Sequence, residues 1–205
     1  MDTVQAISEG AATRPKLLII IASTRPGRVG LPIGEWIHHF ATEHAGFAVE
    51  VADLAKIALP FMDEPNHPRL HQYTKQHTKD WSATVESADA FIFVTPEYNY
   101  GVIAPLKNAI DYLHAEWQHK PVGFVSYGGI AAGTRAVQMT KQIVTTLKMV
   151  PLFEAVNIAF VQQFINEEQQ FQPNEIMEKA TTLMLDELVR WEKTLRPMRK
   201  PTTKA

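Results

Sequence analysis

Cysteine is absent from this chain. That excludes disulfides, thiolate nucleophiles and Cys-ligated zinc or iron–sulfur centres, so redox chemistry has to be carried by a bound cofactor. The lack also fits a cytoplasmic setting. Charge of one sign is not in excess either: 20 basic against 22 acidic residues give a net charge of -2. No broad field therefore recruits nucleic acid or an anionic membrane, and any attraction of anions must be local. No apolar stretch approaches the roughly 20 residues that span a bilayer. The first fourteen residues carry Asp2 and Glu9 and no continuous apolar run, so they lack the pattern of a signal peptide or anchor.

Several motifs are missing too. No Lys follows Gly30 to complete GxxxxGK[ST], and GxGxxG is absent, which removes support for ATP hydrolysis and for a Rossmann dinucleotide grip. No G-x-S-x-G elbow surrounds Ser23 or Ser126, so a hydrolase triad finds no footing. The histidines include His38 with His39 and the set His67, His71 and His77, but Pro68 puts His67 at or before a helix start. No carboxylate or cysteine set completes a metal site, and none is expected.

What is present is a profile of 205 residues, 45% hydrophobic and 20% charged, that suits one domain with one sizeable core. The expected bounds are a loose tail over 1–15, a domain over 16–195 and a frayed basic tail over 196–205. That last tail carries Arg196, Arg199, Lys200 and Lys204 with Pro197 and Pro201. Lys16 to Ala22 is a continuous apolar run of the kind found in a parallel strand buried on both faces. Phe47 to Val51, Phe91 to Thr95, Val122 to Ser126 and Ala155 to Val161 read as four more strands, the last less apolar and so expected at the sheet edge. Helical stripes separate them: Ile33, Trp36, Ile37 and Phe40; Leu70, Tyr73, His77, Trp81 and Val85; Leu106, Ile110 and Leu113 after Pro105; Val137, Thr140, Val144 and Leu147 after a Thr134 cap. Asn174 caps a final helix faced by Ile176, Ala180, Leu183, Leu188 and Trp191, and Asp53 to Pro68 reads as a long loop. Five strands alternating with five helices imply an α/β fold with a parallel sheet covered on both faces. The expected order is the doubly wound 2-1-3-4-5, with a ligand crevice where strands 1 and 3 part.

The unusual residues fall in loops at that crevice. Ser23-Thr24-Arg25-Pro26-Gly27-Arg28-Val29-Gly30 joins the first strand to a helix N-terminus, where free N–H groups, two hydroxyls and a guanidinium suit a monophosphate. After the third strand, Thr95-Pro96-Glu97-Tyr98-Asn99-Tyr100-Gly101 leads into Pro105-Leu106-Lys107-Asn108-Ala109-Ile110-Asp111. After the fourth comes Ser126-Tyr127-Gly128-Gly129. Together they offer aromatic walls and backbone polar groups for a flat heteroaromatic ring such as a flavin.

These three ordered motifs resemble those of the NADPH-dependent FMN reductases of the flavodoxin-like superfamily, whose relatives include azo-, quinone- and chromate reductases. The resemblance runs from about Lys16 to Trp191. It implies an FMN-dependent NAD(P)H oxidoreductase. In that reading Ser23 and Arg25, with Thr24, Val29 and Gly30 around them, hold the FMN phosphate. Pro96, Glu97, Tyr98, Asn99 and Tyr100 line the isoalloxazine, and Ser126, Tyr127, Gly128 and Gly129 close its pyrimidine side. Many relatives have a small hydroxyl residue where this chain has Arg28, so Arg28 either adds a phosphate contact, touches the 2′-phosphate of NADPH or faces solvent. Hydride from NADPH would pass to bound FMN and then to a quinone, azo, metal-oxyanion or flavin acceptor in ping-pong order. Glu97 and Asp111 fall to positioning or dimer contacts, because hydride transfer to a flavin needs no central protein acid or base. The family's habit implies a homodimer or homotetramer, with the helix beginning near Pro105 expected near the seam, the flavin close to it, and Tyr112, Leu113 and Trp117 clustered around the end of that helix. Two other readings stand beside this one: a flavodoxin-type FMN electron carrier without NADPH activity, which the near-neutral charge disfavours, and a nucleotide-binding module without redox activity.

Overall fold

Residues 14–199 are described by the structure, a computed structural model. The apolar run Lys16–Ile21 forms β1 and lies at the second place of a five-stranded sheet ordered β2-β1-β3-β4-β5. Its neighbours are β2 (Ala48–Asp53) and β3 (Ala90–Pro96), followed by β4 (Pro121–Tyr127) and β5 (Val150–Ile158). All four pairings are parallel. Among the described residues six helices connect and cover them: α1 (Gly30–His44), α2 (Leu54–Ile57), α3 (Gln76–Glu86), α4 (Ala104–Asp111), α5 (Thr134–Thr146) and α6 (Glu175–Leu195).

Because strand side chains alternate between faces, β1 divides its residues between two cores. Leu17 and Ile19 join Ile92, Val94 and Val125 against Ile33 and Ile37 of α1 and Met184, Leu185 and Leu188 of α6. Leu18 and Ile20 join Phe91, Phe93 and Phe124 against Trp81 of α3, Leu106 and Ile110 of α4 and Val144 of α5. Every residue of β3 and β4 is buried, which is why those strands read as unbroken apolar runs.

Several boundaries differ from the sequence expectation. β5 starts at Val150 rather than Ala155 and ends at Ile158. Pro151 looks like a breaker, yet an edge strand tolerates a residue without an N–H. The loop after β2 is not featureless, since α2 and a 3₁₀ turn over Pro68–Leu70 lie within it. α3 begins at Gln76 and not near Leu70, which is exposed. Glu64 ends the preceding segment by accepting bonds from the backbone N–H groups of Thr74 and Lys75 and from the Thr74 hydroxyl. On α6 the buried stripe is Met177, Thr181, Met184, Leu185 and Leu188, while Ile176 and Leu183 of the expected stripe face outward. The helix carries two adjacent apolar stripes, and packing selects one.

Two further expectations are corrected. Tyr112, Leu113 and Trp117 belong to the domain's own core: Trp117 is 0% exposed, donates its indole N–H to the Ile110 carbonyl at 3.2 Å, and packs on Phe91 with ring centroids 5.0 Å apart. At the C-terminal end, Arg196 and Arg199 do not fray. Both guanidiniums bond to the buried Glu192, and Arg199 also donates to the Asp89 carbonyl at 2.9 Å. Residues 1–13 and 200–205, the greater part of both expected tails, lie outside the described residues.

Candidate functional site

The carboxyl ends of β1, β3 and β4 converge on a cavity of about 140 Å³ lined by Ser23, Arg25, Arg28, Val29, Pro96, Glu97, Tyr98, Tyr127, Gly128, Val161 and Gln162. Nine of those eleven residues were singled out from sequence. Val161 and Gln162 were not; they arrive because Phe160 and Val161 donate backbone N–H groups to the carbonyls of Gly129 and Gly128.

The β1–α1 loop turns tightly, with the Arg28 N–H donating to the Arg25 carbonyl at 3.1 Å around Gly27 at φ 69°. Its two arginines have opposite fates. The Arg28 guanidinium is held in a two-pronged pair with Asp53 at the end of β2, at 2.7 and 2.6 Å, and also donates to the Ser23 carbonyl at 2.7 Å. Its side chain is only 12% exposed, so the solvent-facing alternative is ruled out, and its charge is met by a buried carboxylate. Asp53 has a second duty as the cap of α2, accepting from Ala55 N–H at 3.1 Å. The Arg25 guanidinium, in contrast, is exposed and has no hydrogen-bond partner among the described residues.

α1 begins at Val29–Gly30 with no side-chain cap, so its first N–H groups are open toward the cavity loop. Beneath them lies the Tyr127 hydroxyl, buried and without a hydrogen-bond partner among the described residues. Burial pushes this phenol's pKa up, so it stays protonated. A Cβ at position 30 would come within 2.4 Å of that oxygen, which is why glycine stands there. An unpartnered buried donor, an uncapped helix terminus and a free guanidinium around one small cavity are groups that fit a phosphate monoester, and so the phosphate end of FMN.

The remaining motif residues divide in the same way. Ser126 is fully buried and its Oγ lies 2.8 Å from the Ala132 carbonyl and 2.9 Å from Asn157 Oδ1, so it shapes the glycine loop from below and does not face the cavity. The Gly128 N–H is taken by the Ile158 carbonyl. Gly129 has open space where a side chain would be. Glu97 is engaged by Arg135 at 2.8 Å, a residue that sequence reasoning passed over beside the expected Thr134 cap. Asn99 and Tyr100 form the tip of a turn closed by Tyr98 and Gly101. Thr24 faces a neighbouring cavity of about 340 Å³ with Leu54, Phe61, Pro105 and Asn108.

The histidines are dispersed into separate bonds: His67 accepts from Arg69 N–H, His71 meets Glu116 and His77 meets Asp63. Among the described residues no group of three or more His, Asp or Glu side chains is arranged to hold a metal ion.

A parallel sheet in the order 2-1-3-4-5 with polar groups gathered at its β1/β3 switch point defines a flavodoxin-like protein. Comparison with known sequences narrows the class. The NADPH-dependent FMN reductase family matches residues 15–163, and the chain belongs to it. FMN and a reduced nicotinamide are the cofactor and co-substrate that membership implies. An NAD(P)H-dependent FMN reductase of Schizosaccharomyces pombe is 42% identical over 137 residues, covering 66% of this chain and 68% of that protein. An NAD(P)H:quinone oxidoreductase of Solanum tuberosum is 44% identical over 62 residues, 29% of this chain and 32% of that one. Among solved structures, the flavoenzyme NAD(P)H:(acceptor) oxidoreductase FerB of Paracoccus denitrificans shares the fold with a TM-score of 0.70 at 18% identity, over 88% of this chain and 98% of its own.

Proposed function

We propose that the chain is a cytoplasmic FMN-dependent NADPH oxidoreductase whose cofactor phosphate sits in the β1–α1 loop. The observation that carries this reading is the set of open groups around one cavity: the Tyr127 hydroxyl, the uncapped N-terminus of α1 and the Arg25 guanidinium. Ser23 completes the phosphate site, with Arg28 fixing the loop from behind through Asp53. Pro96, Glu97 and Tyr98 form one wall for the ring system and Gly128 and Gly129 another. The chemistry that FMN supplies when bound is hydride acceptance from NADPH and delivery of the electrons to a quinone, azo, metal-oxyanion or flavin acceptor, in ping-pong order.

The chain's own part is to bind, orient and exclude water. No side chain at the cavity is needed as a proton donor. The working unit in this reading is a homodimer or homotetramer. With Tyr112, Leu113 and Trp117 assigned to the core, the surface left for the seam lies near Pro105 of α4, beside the exposed Phe61. Anaerobic mixing of the FMN-loaded protein with NADPH tests the reading: bleaching of the flavin absorbance is expected. Protein that takes up FMN and keeps its colour with NADPH would instead be a carrier, and protein that takes up no FMN would sink the proposal.

A further inference from the structure

The turn that carries Tyr98 toward the cavity is held in a conformation its own residues disfavour. Asn99 and Tyr100 are consecutive and both left-handed, at φ 50° and 68°, and Tyr98 and Gly101 exchange backbone hydrogen bonds of 3.3 and 3.0 Å across them. A two-residue connection with positive φ at both central positions usually takes Asn-Gly. Asn99 suits the first place. Tyr100 does not suit the second, because its Cβ crowds the backbone there. Something outside the turn has to offset that strain.

Arg135, the second residue of α5, meets the turn at three points. Its backbone N–H donates to Glu97 Oε2 at 3.1 Å, its Nη1 donates to Glu97 Oε1 at 2.8 Å, and its guanidinium lies over the Tyr100 ring, 3.9 Å from the centroid. Glu97 and Tyr98 line the cavity, whereas Tyr100 and Arg135 do not. Tyr100 is 71% exposed, so its place is set by this stack and not by burial.

We infer that Arg135 is a positioning residue of the site: by clamping Glu97 and Tyr100 it holds the 97–101 turn in its left-handed form and keeps the Glu97–Tyr98 wall of the cavity in place. Only a planar guanidinium can grip a carboxylate through its edge while stacking an aromatic ring on its face, so lysine keeps the charge and loses the stack. The effect on FMN rests on the function proposed above. The clamp itself is measurable without flavin.

Hydrogen exchange at the Tyr98 and Gly101 amides of FMN-free protein tests it, in the native sequence, Arg135→Ala, Arg135→Lys and the double variant Arg135→Ala with Tyr100→Gly. In Arg135→Ala, exchange at those two amides is expected to rise about tenfold while amides of β1 and β3 keep their protection. Arg135→Lys falls between. In the double variant protection returns, because glycine adopts the left-handed conformation without strain. FMN titration of the native protein and the two single variants should follow the same order, with affinity about tenfold weaker in Arg135→Ala and intermediate in Arg135→Lys. Unchanged exchange at Tyr98 and Gly101 in Arg135→Ala overturns the inference, as does protection lost across the whole sheet or a double variant that fails to recover. If the native protein binds no FMN, the functional reading fails alone, and the exchange data still decide the clamp.

Discussion

Two polar segments, one following β1 and one following β2 and α2, are built on opposite plans. In the excursion between α2 and α3 the polar side chains are largely tied to other groups of the protein. Glu64 ties down Thr74 and Lys75, Asn108 exchanges bonds with Pro60 and Met62, and the fully buried Glu116 accepts from Tyr73 and Ser82. In the loop between β1 and α1, donors are left open: Arg25, the first N–H groups of α1, and the Tyr127 hydroxyl beneath them. The lesson is that polar composition alone does not mark a binding loop. What marks it is donor capacity that the protein itself leaves unmet, since an unpartnered buried donor costs free energy unless a ligand completes it.

Arg28 is the exception inside the open loop, and removing it should have the largest effect. Arg28→Ala leaves Asp53 buried without its cation, for which a loss of about 3–5 kcal/mol is expected in urea unfolding. FMN and riboflavin affinity should fall together, because the whole loop loses its anchor. A stable variant with selectively weakened FMN binding would move Arg28 to the ligand-facing class.

Arg25→Ala should behave in the opposite manner. Stability is expected to stay within about 0.5 kcal/mol, as for an ordinary surface change, while FMN binding weakens by about 1.5–3 kcal/mol. Riboflavin, lacking the phosphate, should bind both proteins nearly alike. Equal losses for the two ligands would remove Arg25 from the phosphate site.

Tyr127→Phe separates the two plans within one side chain. Deleting an unpartnered buried hydroxyl should leave the FMN-free protein as stable or more so, yet weaken FMN by about 0.5–1.5 kcal/mol, the net worth of one hydrogen bond. A variant that is both less stable and unchanged in FMN binding would show that the hydroxyl has an internal partner after all.

The open half of this comparison was largely legible in the sequence, and the committed half was not. Ser23, Arg25 and Gly30 stand within eight residues at a strand-to-helix junction, and local spacing is enough to gather their polar groups in one loop. The partner of Arg28 lies at Asp53, 25 residues along the chain, and no local pattern points to it. The positions of β1, β3 and β4 were readable because parallel strands buried on both faces are continuous apolar runs. The phase of α6 was not, since Ile176 and Leu183 are as apolar as Met177 and Met184 and only packing against the sheet chooses between them. Trp117 was misread for a related reason: a tryptophan before a strand covers either its own core or a partner, and composition does not say which.

The committed segment also makes the smallest prediction, a dependence on acid. Burial raises the Glu64 pKa, but the bonds it accepts from Thr74 and Lys75 outweigh that and bring it down to about 2 from an ordinary 4.5. A carboxyl whose folded pKa lies below its unfolded value stabilises the protein fully above the unfolded value, and that contribution is lost as pH falls through the folded one. The window is therefore between about pH 4.5 and 2, and nothing attributable to Glu64 should change near neutrality. Because the segment is close to solvent, the effect on global stability is expected to be below about 1 kcal/mol. Unfolding midpoints of the native protein and Glu64→Gln, compared across that range, should converge as the pH falls, since the native carboxyl becomes neutral like the amide. Curves that stay parallel from pH 5 to 2 would mean that Glu64 does not hold the start of α3 through its charge.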